Sequence, residues 1–150
     1  MAEKKCLITA QVIESDSFLT LSHSAQCLYF HYCVNADNDG FVKNPVTIMR
    51  IINAKEKDFE ELSQKGYIIL FDSGIIVITH WHIHNLIPKA RYKPSDYIEQ
   101  RAELYNKPNG AYTTNPQEGI NYQIFLEDLW VKNSKSKSPT SDSLTNVEQM

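Results

Sequence analysis

Two apolar, β-branched runs at residues 67–71 and 75–79 flank Asp72-Ser73-Gly74. That pattern predicts a β-hairpin with a tight turn. Three helical patterns precede it. Ser22-His23-Ser24 reads as a helix start, with Ser22 or Ser24 as N-cap. Ala25, Leu28, Tyr29, Tyr32 and Cys33 then fall on one helical face. Asn44-Pro45 opens a second helix, an N-cap followed by a proline whose missing N–H costs nothing there. Ile48, Ile51 and Ile52 form its expected buried stripe. Residues 55–65 make a third, with Phe59 and Leu62 inward and Gly66 at its C-terminal end.

Three helices and then a hairpin is the element order of a winged helix-turn-helix, so the expected fold class is α+β. Helix two (about 45–53) and helix three (about 55–65) would form the helix-turn-helix, and the hairpin the wing. Residues 6–13 alternate and suit a strand or extended lead-in. Asn35-Ala36-Asp37-Asn38-Asp39-Gly40 is a turn of residues that tolerate left-handed backbone. Residues 79–85 alternate again, Pro88 breaks them, Ser95 caps a fourth helix at 96–105, and Pro108-Asn109-Gly110 ends it. The expected organisation is a domain at 1–112, an appended amphipathic segment at 113–132 and a flexible Lys/Ser tail at 133–150.

A chain of 150 residues with 42% hydrophobic and 22% charged residues can bury one core. Its longest apolar run, residues 74–79, is far too short to cross a bilayer, and the N-terminus lacks a secretory apolar stretch. A cytoplasmic protein with no membrane partner is expected. Three cysteines (Cys6, Cys27, Cys33) without CxxC spacing indicate neither a disulfide framework nor a zinc ribbon. The net charge of −3 does not favour nucleic acid as a partner, although an average can hide a local basic patch.

No catalytic signature is present, and no enzyme or cofactor is expected. His80, His82 and His84 would share one side of a strand and could hold a metal, but no neighbouring Cys, Asp or Glu completes a ligand set. They read better as surface or edge-strand residues beside Trp81. Asp37 and Asp39 resemble the start of a calcium loop, yet the closing twelfth position is Ile48, so the segment reads as a plain loop.

The basic residues are more informative. Residues 86–95 hold Lys89, Arg91 and Lys93, with Tyr92 between two of them and no acid. Such a cluster suits a phosphate backbone, with Tyr92 packing on a sugar or base. Lys43 and Asn44 lie at the start of helix two, where backbone N–H groups favour a phosphate. Arg50, Lys55 and Lys57 are further DNA-binding candidates near the helix-turn-helix corner. The third helix also carries Glu56, Asp58, Glu60 and Glu61, which repel phosphate unless they point away. Backbone contacts from helix two, the wing and the basic cluster are therefore expected to supply much of any affinity.

Several stretches together resemble the N-terminal domain of phage replisome organisers from Gram-positive hosts, relatives of DnaD-type primosomal proteins. They are Ile13-Glu14-Ser15-Asp16-Ser17-Phe18-Leu19, Ser24-Ala25-Gln26-Cys27-Leu28-Tyr29-Phe30-His31 and Ala36-Asp37-Asn38-Asp39-Gly40-Phe41-Val42-Lys43-Asn44-Pro45, then Gly74-Ile75-Ile76-Val77-Ile78-Thr79-His80-Trp81-His82-Ile83-His84-Asn85 and Arg91-Tyr92-Lys93-Pro94-Ser95. The resemblance spans about residues 3–112. It implies a winged-helix, origin-binding protein of a phage or prophage, working in a bacterial cytoplasm. It also implies double-stranded DNA and replication proteins as partners, and self-association. Ala90 stands where the family pattern has an acid. Family members continue into a second helical domain that engages single-stranded DNA and the helicase loader; here a Lys/Ser tail follows, so the resemblance does not carry a helicase-loading role over to this chain. Residues 120–131 would dock back on the domain or form a partner-binding helix, and docking is favoured. The alternatives on the same fold are a protein-interaction module and a transcriptional regulator.

Overall fold

The computed structural model describes residues 5–137, with side chains through Lys132. It is a mixed α+β structure with two small antiparallel sheets. Residues 6–9 run extended without joining a sheet, and a helical turn, α1 (Ala10–Ile13), replaces the end of the expected lead-in strand. The extended stretch is held by side chains: Leu7 N donates to Asn85 Oδ1 at 2.8 Å and Thr9 N to His84 Nδ1 at 2.9 Å. A second turn, α2 (Asp16–Leu19), is capped by Ser15, whose Oγ accepts from Phe18 N.

Helix α3 (His23–Val34) begins where Ser22 Oγ accepts from Ala25 N at 3.1 Å. All five residues of the expected inner face are buried. Strand β1 (Phe41–Val42) follows, too short for any sequence periodicity to reveal. Helices α4 (Pro45–Ile52) and α5 (Glu56–Gln64) come next, then β2 (Ile68–Leu70) and β3 (Ile76–Ile78) as the expected hairpin. The sheet order is β1-β3-β2, with Phe41 opposite Val77 and Ile68 opposite Ile78. One expectation for α4 fails: Ile48 is buried and Ile52 half-buried, but Ile51 is 75% exposed. Helix α4 packs on α3, and in helical projection Ile52 lies about 40° to one side of Ile48 while Ile51 lies about 60° to the other, at the edge of the covered face.

The alternating stretch after β3 is not a strand. It is a helical turn, α6 (Trp81–His84), followed by a 3₁₀ turn at Lys89–Arg91. The expected fourth helix is shorter than its pattern, α7 (Ile98–Ala102). The fully buried Leu104 pulls the chain out of it into β4 (Tyr105–Asn106). Pro108-Asn109-Gly110 turns β4 into β5 (Tyr112–Thr113), so it closes a hairpin and does not end a helix. Strand β6 (Ile120–Asn121) pairs on the other side of β4. Gly119 permits that pairing, because a Cβ there would sit 2.2 Å from Asn106 O.

Helix α8 (Tyr122–Lys137) packs back with Tyr122 and Leu126 buried. Strand β5 straddles the expected boundary after residue 112, and the helix runs five residues into the expected tail. Tail residues 138–150 lie outside the described part. No helix among the described residues is long and apolar enough to cross a membrane.

Candidate nucleic-acid interface

The corner between α4 and α5 is shaped by acids that face inward. Asp58 is buried; it accepts from Lys55 N at 2.8 Å and from Ser24 Oγ. Glu61 accepts from Ser22 N at 2.8 Å and from Ser22 Oγ at 2.9 Å. Two of the four acids on α5 therefore bind the N-terminus of α3, where free N–H groups favour negative charge. Glu56 and Glu60 remain exposed, beside exposed Lys57, Gln64 and Lys65. Lys65 Nζ also donates to Thr20 Oγ1 at 2.8 Å.

Eight of the nine candidate DNA-contacting residues are exposed: Lys43, Asn44, Arg50, Lys55, Lys57, Lys89, Arg91 and Lys93. Asn44 holds the N-cap position of α4 but makes no capping bond, so its amide is not tied to the helix end. The hairpin between residues 67 and 79 carries no Lys or Arg, and its only charge is Asp72 at the tip. The exposed bases among these candidates thus lie at the α4–α5 corner and in residues 89–93.

Tyr92 is placed differently. It is half-buried, and its hydroxyl donates to Asp39 Oδ1 at 2.6 Å while accepting from Arg101 Nη2 at 3.2 Å. Its ring packs on Trp130, centroids 5.2 Å apart. The ring that the sequence offered for stacking on a base is committed to the interior.

Asp39 is the centre of that interior. It is fully buried, and its carboxylate accepts from the hydroxyls of Tyr92 and Tyr122 and from Ser95 N at 2.8 Å. Arg101 Nε lies 3.3 Å from Asp39 Oδ2 but off the hydrogen-bonding line, so that contact is one of charge. The Asp39 carbonyl accepts from Tyr112 Oη at 2.6 Å. Burial pushes the Tyr92, Tyr112 and Tyr122 hydroxyls up, and the Asp39 carboxylate beside each adds to the shift, so all three stay protonated donors. Asp37 closes the turn by accepting from Asp39 N at 2.9 Å and Phe41 N at 3.0 Å; burial raises its carboxyl. A residue read as part of a plain loop is thus the anchor that fixes the basic segment. No local signal in the sequence marks it, since its hydrogen-bond partners lie 53 to 83 residues away.

The three histidines do not line up. His80 caps α6, so by helical spacing it and His84 fall on one side and His82 on the other. His82 Nε2 meets Tyr112 Oη at 2.9 Å, and His84 Nε2 meets Tyr29 Oη at 2.7 Å. Burial pushes both imidazoles down to about 4, so they are neutral. Among the described residues no group of three or more His, Cys, Asp or Glu side chains is placed to hold a metal. Of the three thiols, Cys33 is buried, Cys6 half-buried and Cys27 exposed.

A scan against protein-family models finds no match to this chain, and searches of curated proteins and of solved structures find none either.

Proposed function

We propose that this chain is a non-enzymatic, duplex-DNA-binding winged-helix protein that acts in phage or prophage replication initiation. The observation that carries the fold reading is the element order α3–β1–α4–α5–β2–β3 with sheet order β1-β3-β2. A short strand between the first two helices that pairs beside the hairpin is what a winged helix-turn-helix requires. The DNA reading is supported by the exposure of Lys43, Arg50, Lys55, Lys57, Lys89, Arg91 and Lys93 and by the inward aim of Asp58 and Glu61. The replication role rests on the sequence resemblance.

Binding in this reading is mostly phosphate contact. Exposed Glu56 and Glu60 limit how closely α5 approaches the major groove, and the hairpin tip offers no cation. The test is fluorescence anisotropy with a random and an origin-derived duplex at two salt concentrations. Affinity should fall steeply with salt, and changing Lys89, Arg91 and Lys93 together to Ala should reduce the log–log salt slope by about 2–3. Absence of binding at low salt overturns the proposal. It would shift the reading to a protein-interaction module, for which the 75% exposure of Ile51 on α4 is the favouring observation.

A further inference from the structure

The extended N-terminal stretch and the segment after α6 form a groove of about 660 Å³, lined in part by Cys6, Leu7, Val34, Leu86, Ile87 and Arg91. Leu7 is 68% and Leu86 50% exposed, so apolar surface is gathered in one concave place. The walls are fixed. Leu7 N donates to Asn85 Oδ1, and Asn85 Nδ2 donates back to Leu7 O at 3.2 Å. Arg91 is exposed and shares its 3₁₀ turn with Lys89, in a stretch from 86 to 95 that contains three bases and no acid. The site therefore suits a ligand that is apolar and acidic together.

One segment with that character starts beside the groove. Trp130 Nε1 donates to Ile87 O at 3.0 Å, which pins α8 against the groove wall. The helix is described to Lys137, about 10 Å further along its axis. Residues 138–150 contain no Lys, Arg or His. They hold the acids Asp142 and Glu148 and the apolar residues Leu144, Val147 and Met150 at three-residue spacing. Residues 138–143 can span about 20 Å when extended, enough to bring the apolar residues back to the groove.

We propose that this groove is the docking site of the chain's own residues 142–150, whose apolar side chains cover Leu7 and Leu86 and whose acids neutralise Arg91. Docking would then compete with nucleic acid for the basic segment. The competition rests on the DNA-binding reading above; the docking does not.

Cys6 reports on the groove and exposed Cys27 on α3 serves as the internal reference. Alkylation of Cys6 should be at least about threefold slower in the full chain than in a chain ending at Lys137, since labelling scales with the open fraction. A synthetic peptide of residues 138–150 added to the shortened chain should restore the slow rate. The full-length double variant Leu144→Asp, Val147→Asp should label like the shortened chain. Equal Cys6 rates in full and shortened chains overturn the proposal. So does protection that depends on protein concentration, which would assign the groove to a second copy. In the same samples, the shortened chain should bind duplex more tightly at low salt by a similar factor. If Cys6 is protected but neither chain binds duplex, docking stands and the DNA reading fails. If both bind duplex equally and Cys6 rates are equal, the reverse holds.

Discussion

The helical half of the molecule and its C-terminal half are held by different physics. From α3 to β3 the interior is side chains such as Leu28, Ile48, Leu62, Ile76 and Ile78, buried by a non-directional effect. From α6 to α8 the interior is organised by Asp39, which gathers Tyr92, Ser95, Arg101, Tyr112 and Tyr122 from four separate stretches of chain. Apolar packing tolerates the loss of one contact by partial relaxation. A buried charge network does not, because each remaining member is left desolvated and unpaired. The second half should therefore fail as a unit, and the basic segment that runs through it should fail with it.

The sharpest way to break the comparison is to remove the centre of each half. Asp39→Ala should cost about 3–5 kcal/mol, the range for stripping one partner from a buried ion pair. Leu28→Ala should cost about 2–5 kcal/mol through its cavity. The sizes overlap, but the pattern should not. Native-state hydrogen exchange should show Asp39→Ala losing protection in α7, α8 and β4–β6 ahead of α3–α5, whereas Leu28→Ala should lower protection throughout. If Asp39→Ala lowered protection uniformly, the two halves would be one cooperative unit.

Acid should probe both halves through α6, where His84 clamps Tyr29 and Thr9 of the helical half and His82 clamps Tyr112 of the other. Both imidazoles have folded-state values of about 4, below the ordinary 6.5. Below pH 6.5 the unfolded chain takes up protons that the folded chain refuses. Their contribution is thus complete above that value, falls as pH drops, and is lost near pH 4. His80, lowered by burial and by Lys107, adds in the same direction; Asp37, raised by burial, opposes it. The loss from His82 is on the order of 2–3 kcal/mol. Urea unfolding between pH 7 and 4 should show it, and His82→Gln should flatten the slope.

What the sequence made legible divides along the same line. The Ser22 cap, the five inward residues of α3, the Asn44-Pro45 start and the hairpin about Asp72-Ser73-Gly74 were all readable, because local propensity and burial periodicity agree there. Residues 79–85 failed because alternation of His, Trp, His, Ile and His mimics a strand while tertiary bonds to Tyr29 and Tyr112 select a helical turn. Asp39 was unreadable for a related reason. In sequence it looks like any turn acid, and its partners lie 53 to 83 residues away. The exposed bases were legible as charge, but the interior role of Tyr92 needed those same distant partners.

Gly40 joins the halves at the turn that carries Asp39. Its φ of +91° is strained for any other residue, and a Cβ there would lie 2.6 Å from Trp81 Cγ. Gly40→Ala should cost about 2–3 kcal/mol from backbone strain and overpacking together. Because Trp81 Nε1 donates to Asn38 O at 2.9 Å, the displaced indole should also loosen the turn. Thermal unfolding followed by near-UV dichroism would register both effects; an unchanged melting temperature would show that the seam yields more easily than the geometry implies.

The smallest expected effect tests the outermost tie of the polar half. Trp130→Phe keeps an aromatic ring against Tyr92 but removes the indole N–H that donates to Ile87 O. The cost should be about 1 kcal/mol, that of one partly buried hydrogen bond. It should fall locally, as faster exchange in the last turns of α8 and in residues 86–93, with Asp39 and its tyrosines still protected. If exchange instead rose across α7 and β4–β6, Trp130 would belong to the network around Asp39, and the polar half would extend to the edge of the basic segment itself.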